Sequence, residues 1–176
     1  IGLGYVGAVT SCCLASDGHE VIGVDLDATK VSLLASGHSP IVEERIPSIT
    51  KNAIDSGKLK VTTELTCAAI EVDLIFICVG TPSAPNGSQN LTAVERVCQQ
   101  IGGLLRDSNV KPCIVMRSTV PAGTTNGLVK QALESSSGGK AGLDFGLGFQ
   151  PEFLREGSSV EDFYNPPMTV VAGDAM

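Results

Sequence analysis

The sequence has no apolar run long enough to cross a bilayer. Its longest is Leu74-Ile75-Phe76-Ile77-Cys78-Val79, far short of the roughly 20 residues a spanning helix needs. This length suits a buried strand and gives no membrane partner. Basic residues are also scarce: 12 Lys and Arg stand against 19 Asp and Glu, a net charge of −7. A chain this acidic does not hold a polyanionic backbone over a broad surface, which excludes nucleic acid as a partner. A helix N-terminus can still take a small phosphate. Cysteine pairs at metal spacing are missing. The six cysteines (Cys12, Cys13, Cys67, Cys78, Cys98, Cys113) form no CxxC and no Cys/His cluster, so no metal site is expected. They read as reduced thiols in a cytoplasmic protein. No charged segment followed by an apolar one opens the chain, so no secretory signal is read. Ile1 already lies inside a motif, and the expectation is one domain, residues 1–176, of a longer protein, with most of its first strand missing.

What the chain does have is a globular composition, 43% apolar and 18% charged, with enough apolar surface for a core. Its 20 glycines and nine prolines imply many turns. Short Val- and Ile-rich segments at 19–25, 59–63, 73–79, 112–118, 143–148 and 168–171 read as strands. Helical stretches fall between them at 5–16, 28–35, 46–56, 65–70, 91–105 and 124–134. The stretch at 91–105 is the clearest: Leu91, Val94, Val97, Cys98, Ile101 and Leu105 recur at steps that make one apolar helix face. This alternation predicts an α/β fold, a doubly wound, mostly parallel Rossmann-like sheet with helices on both faces. Right-handed crossovers put the loops 80–90, 120–123 and 149–156 along one ligand-binding edge.

The first functional signal is Gly2-Leu3-Gly4-Tyr5-Val6-Gly7, a G-x-G-x-x-G that opens a helix. A strand, Val21-Ile22-Gly23-Val24-Asp25, follows that helix and ends in an acid. The glycines allow a tight turn and close approach of a pyrophosphate to the helix N-terminus. Asp25 stands near the spacing at which a carboxylate meets the adenosine ribose hydroxyls. A carboxylate there accepts from a 2′-hydroxyl and repels a 2′-phosphate, so NAD is the expected cofactor rather than NADP. Lys30 either reaches the adenosine side or is solvated on its helix face. Further along, Gly80-Thr81-Pro82, Arg117-Ser118-Thr119-Val120 and Gln150-Pro151-Glu152-Phe153-Leu154-Arg155-Glu156 each follow a strand. Each alone is an ordinary turn, helix cap or solvated carboxylate. Together they gather hydroxyls and carboxylates suited to proton handling at one edge.

These strings, with His19-Glu20 before the second strand, Ser39-Pro40-Ile41-Val42-Glu43 and Cys78-Val79 before Gly80, resemble the N-terminal NAD-binding domain of the UDP-glucose/GDP-mannose dehydrogenases. Pro166-Pro167-Met168-Thr169-Val170 and Ser39-Pro40-Ile41-Val42 look closer to the GDP-mannose branch than to the UDP-glucose branch. The resemblance implies oxidation of a sugar's C6 alcohol to a carboxylate with two NAD⁺, through a thiohemiacetal and a thioester on a cysteine. It implies NAD contacts at Gly2, Gly4, Tyr5, Val6, Gly7, Asp25, Lys30, Thr81 and Thr119, with Glu156 near the nicotinamide. Thr119 and Glu152 would be catalytic, positioning or activating water, and Glu152, Phe153 and Leu154 would line the nucleotide-sugar site.

The family's nucleophilic cysteine lies in the segment that follows this domain, and none of the six cysteines here matches its context. The central and C-terminal domains are likewise expected outside the chain, which by itself should be inactive. Gln150 stands where the family has Asn, and Glu44-Arg45 replaces Pro-Gly. The full-length protein is expected to be a cytoplasmic homo-oligomer in polysaccharide biosynthesis, with a nucleotide sugar as its small-molecule partner. UDP-glucose dehydrogenation and a non-catalytic NAD-sensing module stay open as alternatives.

Overall fold

The computed structural model describes residues 1–66 and 70–173. It divides into two compact units, Ile1–Glu64 with Glu152–Thr169, and Leu65–Pro151 with Val170–Met176. In the first, strands β1 (Val21–Val24) and β2 (Leu59–Thr62) pair in parallel, Val21 opposite Leu59. Helices α1 (Tyr5–Ser16), α2 (Ala28–Ala35) and α3 (Ile46–Asp55) surround them. Residues ahead of α1 run beside β1, where Gly2 N–H donates to Val24 O at 2.7 Å. Leu3, Cys12, Ala15, Leu34, Ala53 and Leu59 bury one core cluster. Removing such side chains from water is the main stabilising contribution available to the unit. Asp27 starts α2, its side chain accepting from Thr29 N–H and Lys30 N–H.

In the second unit β3 (Leu74–Ile77), β4 (Cys113–Met116) and β5 (Gly146–Phe149) are parallel and β6 (Ala172–Gly173) pairs antiparallel with β5. The long helix α4 (Thr92–Arg106) buries Val94, Val97, Cys98, Ile101 and Leu105, the face its periodicity predicts. A π-helical turn, Thr125–Val129, leads into α5 (Lys130–Ser137). The parallel strands send their C-terminal ends to residues 80, 117 and 150, as a doubly wound sheet requires.

Three expectations are corrected or completed. The strand predicted over 168–171 is not formed; pairing begins at Ala172 instead. Small residues decide this, since a Cβ on Gly173 would lie 2.9 Å from Leu147 O, too close for any larger side chain. Pro166 and Pro167 also have no N–H to donate. A sixth helix, α6 (Ser159–Tyr164), has no counterpart in the sequence reading; six residues are too few for a helical period to register. The helix predicted over 65–70 falls largely on residues 67–69, outside the described residues.

Candidate functional site

The glycine turn is built for an anion. Gly2 sits at φ +90°, a conformation open mainly to glycine. Gly4 then caps α1 without a side-chain hydrogen bond, and no acidic residue occupies the first turn. A Cβ on Gly4 would meet nothing within 4 Å, so the approach to the helix end is open. The first-turn N–H groups of Tyr5, Val6 and Gly7 have no i−4 carbonyl of their own helix to bond, and the helix dipole favours negative charge there. α2 differs, because Asp27 fills that role. These residues fit a pyrophosphate.

Asp25 follows the last residue of β1 and its carboxylate is oriented by the backbone. Oδ2 accepts from Leu3 N–H at 2.6 Å and Oδ1 from Asp27 N–H at 2.9 Å. Each oxygen keeps a lone pair for a hydroxyl donor. Lys30 Nζ lies 3.6 Å from Asp25 Oδ2 with its side chain 38% exposed. Lys30 is thus part-exposed and ion-paired with Asp25.

The same unit holds residues 152–159. Glu152 Oε2 accepts from Leu154 N–H at 2.6 Å, a local turn that fixes the carboxylate's direction. Phe153 and Glu156 are exposed, whereas Leu154 leans on the buried cluster of Val9, Cys13, Ile46 and Val160. Arg155 and buried Asp162 clamp the segment: Asp162 accepts from Arg155 N–H (2.9 Å), Nε (3.1 Å) and Nη2 (2.7 Å), and from Ser158 Oγ (3.0 Å). The Arg155 side chain above all holds the Asp162 carboxyl well below the usual range, and the Arg155 guanidinium is raised in return. Glu43 makes a second clamp, accepting from Tyr5 OH, Gly157 N–H (2.9 Å), Ser159 N–H (3.2 Å) and Ser159 Oγ. Tyr5 OH also lies 3.0 Å from Arg155 O. The structure thus brings Tyr5 of the glycine turn to the segment carrying Glu152 and Glu156.

In the second unit Thr81 Oγ1 donates to Thr119 O at 2.9 Å, and Gln89 Nε2 reaches the same carbonyl at 3.4 Å. Ser118 Oγ donates to Val79 O at 2.7 Å, stitching the end of β4 to that of β3. Arg117 Nη1 donates to Gln150 Oε1 at 2.6 Å, and its guanidinium lies 5.4 Å from the Phe76 ring centroid. Thr81 and Thr119 therefore meet, with Thr119 exposed at the strand ends. Gln150, a departure from the family pattern, has a structural partner in Arg117.

Sequence reasoning assigned no role to Glu43, Ser159 or Asp162. Glu43 stood in a quoted string without a chemistry attached; Asp162 had no signal, because its partner is chosen by folding. Cys12, Cys13 and Cys98 are buried. Among the described residues Cys12, Cys13, Cys78, Cys98 and Cys113 form no disulfide, and burial pushes the Cys13 and Cys98 thiols up to about 12. Cys67 lies outside the described residues. Among the described residues no group of His, Cys, Asp and Glu is placed to hold a metal, and no helix is long and apolar enough to cross a membrane.

Comparison with known proteins gives the family. The chain is 48% identical over 170 residues to GDP-mannose 6-dehydrogenase of Pseudomonas aeruginosa, covering 97% of this chain and 39% of that protein. It is 36% identical over 172 residues to UDP-glucose 6-dehydrogenase of the same species, covering 97% of this chain and 37% of that protein. A crystal structure of a ternary complex of the P. aeruginosa GDP-mannose dehydrogenase superposes with a TM-score of 0.96 at 46% identity, over 99% of this chain and 40% of that one. A UDP-glucose dehydrogenase from Pyrobaculum islandicum does so at 0.90 and 39% identity, over 98% and 39%. The chain spans about two fifths of the length of these relatives. The model of the UDP-glucose/GDP-mannose dehydrogenase family's NAD binding domain matches residues 1–175, and with this fold and this glycine turn the chain belongs to that family as its NAD-binding domain.

Proposed function

We propose that this chain is the NAD-binding part of a nucleotide-sugar 6-dehydrogenase that oxidises a C6 alcohol to a carboxylate, with GDP-mannose as the sugar nucleotide. The observation that carries the reading is the Asp25 carboxylate, held by two backbone amides in the same unit as the uncapped glycine N-terminus of α1. When bound, NAD would supply the hydride acceptor for the oxidation, one NAD⁺ for each of the two two-electron steps. The residues of the chain bind and orient. The first-turn amides of α1 hold the pyrophosphate, and Asp25 takes the ribose hydroxyls. Glu152, its direction fixed by Leu154 N–H, would take a proton from the water that releases the acid. Phe153 and Leu154 would line the sugar-nucleotide side, and Glu156 the cofactor side.

GDP-mannose is preferred over UDP-glucose because the P. aeruginosa GDP-mannose 6-dehydrogenase stands at 48% identity and the UDP-glucose 6-dehydrogenase of the same species at 36%. The reading extends to a cytoplasmic, homo-oligomeric full-length enzyme of polysaccharide biosynthesis. The test is NADH absorbance with each sugar nucleotide, using this chain alone and then joined to the remaining three fifths of a relative's length. This chain alone should bind NAD without steady turnover, since the anchoring cysteine is assigned to the remainder. The joined protein should turn over GDP-mannose with the higher kcat/KM. Higher kcat/KM with UDP-glucose would reassign the substrate, and binding of NAD with indifference to both sugars would make the domain a sensor.

A further inference from the structure

The string Ser39-Pro40-Ile41-Val42-Glu43 is left unused by the proposed chemistry, yet it ends in the most heavily coordinated carboxylate beside the glycine turn. Glu43 is half-buried and sits between two parts of the first unit. On one side is Tyr5, the first residue of α1. On the other are Gly157 N–H at 2.9 Å, Ser159 N–H at 3.2 Å and Ser159 Oγ. Ser159 is fully buried, so its hydroxyl has little water to fall back on and an absent acceptor would be costly.

We propose that Glu43 is a positioning residue whose carboxylate clasps residues 157–159 to Tyr5, so that occupation of the glycine turn and ordering of the segment that carries Glu152 and Glu156 are coupled. The proposal rests on the functional reading only in assigning that segment to the chemistry.

The geometry makes the coupling specific. Tyr5 has one hydroxyl proton and two acceptors within reach, Glu43 and Arg155 O at 3.0 Å. Both acceptors lead to the same segment, and the phenol grows from the residue whose backbone N–H faces the anion. Protonation states agree with this use. Burial and then the neighbouring Glu43 raise the Tyr5 hydroxyl, which keeps its proton. Burial also raises the Glu43 carboxyl, but the hydrogen bonds from Ser159, Tyr5 and Gly157 outweigh it and hold Glu43 below its ordinary value. A proton donor thus faces a charged acceptor at neutral pH, the strong form of the bond. Because coupling is reciprocal, an ordered segment must strengthen NAD binding by the factor with which NAD orders the segment.

Glu43→Gln keeps the shape but removes the charge and turns one acceptor oxygen into a donor facing N–H and O–H groups. The readout is hydrogen exchange of the peptide covering 155–159 in the 176-residue chain, with and without saturating NAD, alongside NAD titration and thermal melting. In the wild type NAD should slow that exchange. In Glu43→Gln the peptide should exchange about tenfold faster and lose the NAD-dependent slowing, with the NAD Kd raised by the factor by which NAD slows exchange in the wild type. Tyr5→Phe should keep the basal protection, because Gly157 and Ser159 still reach Glu43, and lose only the NAD-dependent part. Ser159→Ala, a smaller change, should loosen the peptide if Glu43→Gln proves too unstable to measure.

Unchanged exchange in both Glu43→Gln and Ser159→Ala overturns the clasp, and NAD-dependent slowing that survives in Tyr5→Phe overturns the link to the glycine turn. None of these arms uses a sugar nucleotide, so failure of the dehydrogenase reading appears separately, as absent NADH formation by the joined wild-type protein.

Discussion

At the scale of single residues, the proposed function gives Asp25 the cofactor choice. Its carboxylate is pinned by Leu3 N–H and Asp27 N–H, so it cannot swing away from an added phosphate. The chain should therefore bind NAD at least about tenfold more tightly than NADP, a difference of about 1.4 kcal/mol. Asp25→Ala should narrow that gap by weakening NAD and relieving repulsion of NADP; calorimetry at moderate salt measures both. Equal Kd values in the wild type would remove Asp25 from this role. The thiols make a second residue-scale expectation. Cys12, Cys13 and Cys98 are buried, and burial raises all three. Since the thiolate is the reactive species, these positions should label slowly in the native chain. A single fast thiol among them whose rate responds to NAD would identify an overlooked nucleophile.

At the scale of elements, the contact between α4 and α5 turns on two adjacent glycines with opposite surroundings. A Cβ on Gly102 would come within 2.8 Å of Leu133 O and nearer still to Ser136 Oγ, so the two helices approach only because no side chain intervenes. Gly102→Ala must push α5 outward, at a cost of about 1–3 kcal/mol. Gly103 has nothing within 4 Å of its Cβ position and is exposed. There, Gly103→Ala gains helix propensity and should stabilise by about 0.5–1 kcal/mol. Thermal melting of the pair separates them: Tm should fall in the first and hold or rise in the second. Matching shifts would mean that α4 and α5 do not meet as described.

Over the whole molecule, the network of carboxylates predicts how stability follows pH. The Arg155 side chain holds Asp162 below its ordinary value, and hydrogen bonds hold Glu43 below its own despite burial. Groups lowered on folding bind protons more readily in the unfolded chain. Their contribution is therefore complete above the unfolded carboxyl range, about pH 4, and is lost as pH falls through the lowered folded values. Urea midpoints should be level from about pH 7 to 5 and decline below about pH 4. Asp162→Asn should lower stability at neutral pH and flatten that acid decline, since its linked proton is gone. An acid slope as steep as the wild type's in Asp162→Asn would place the linkage elsewhere.

Much of this was legible along the chain because it is local. The glycine turn, α1 and the acid after β1 lie within 25 consecutive residues, and the period of α4 is written in its own side chains. Short-range sterics and apolar spacing suffice for such features. The ends of Thr81 and Thr119 at one strand edge were also foreseeable, because parallel crossovers leave little choice. Other features needed the fold. Glu43 meets Ser159 across 116 positions and Tyr5 across 38, and no periodicity announces such a pair. α6 is too short to show a pattern, and β6 forms where two small residues allow close approach rather than where apolar residues cluster. Lys30 was ambiguous until β1 and α2 set it beside Asp25. Burial, backbone approach and long-range hydrogen bonding are properties of the packed chain. They decide which polar group finds which partner, and residue order constrains that choice only weakly.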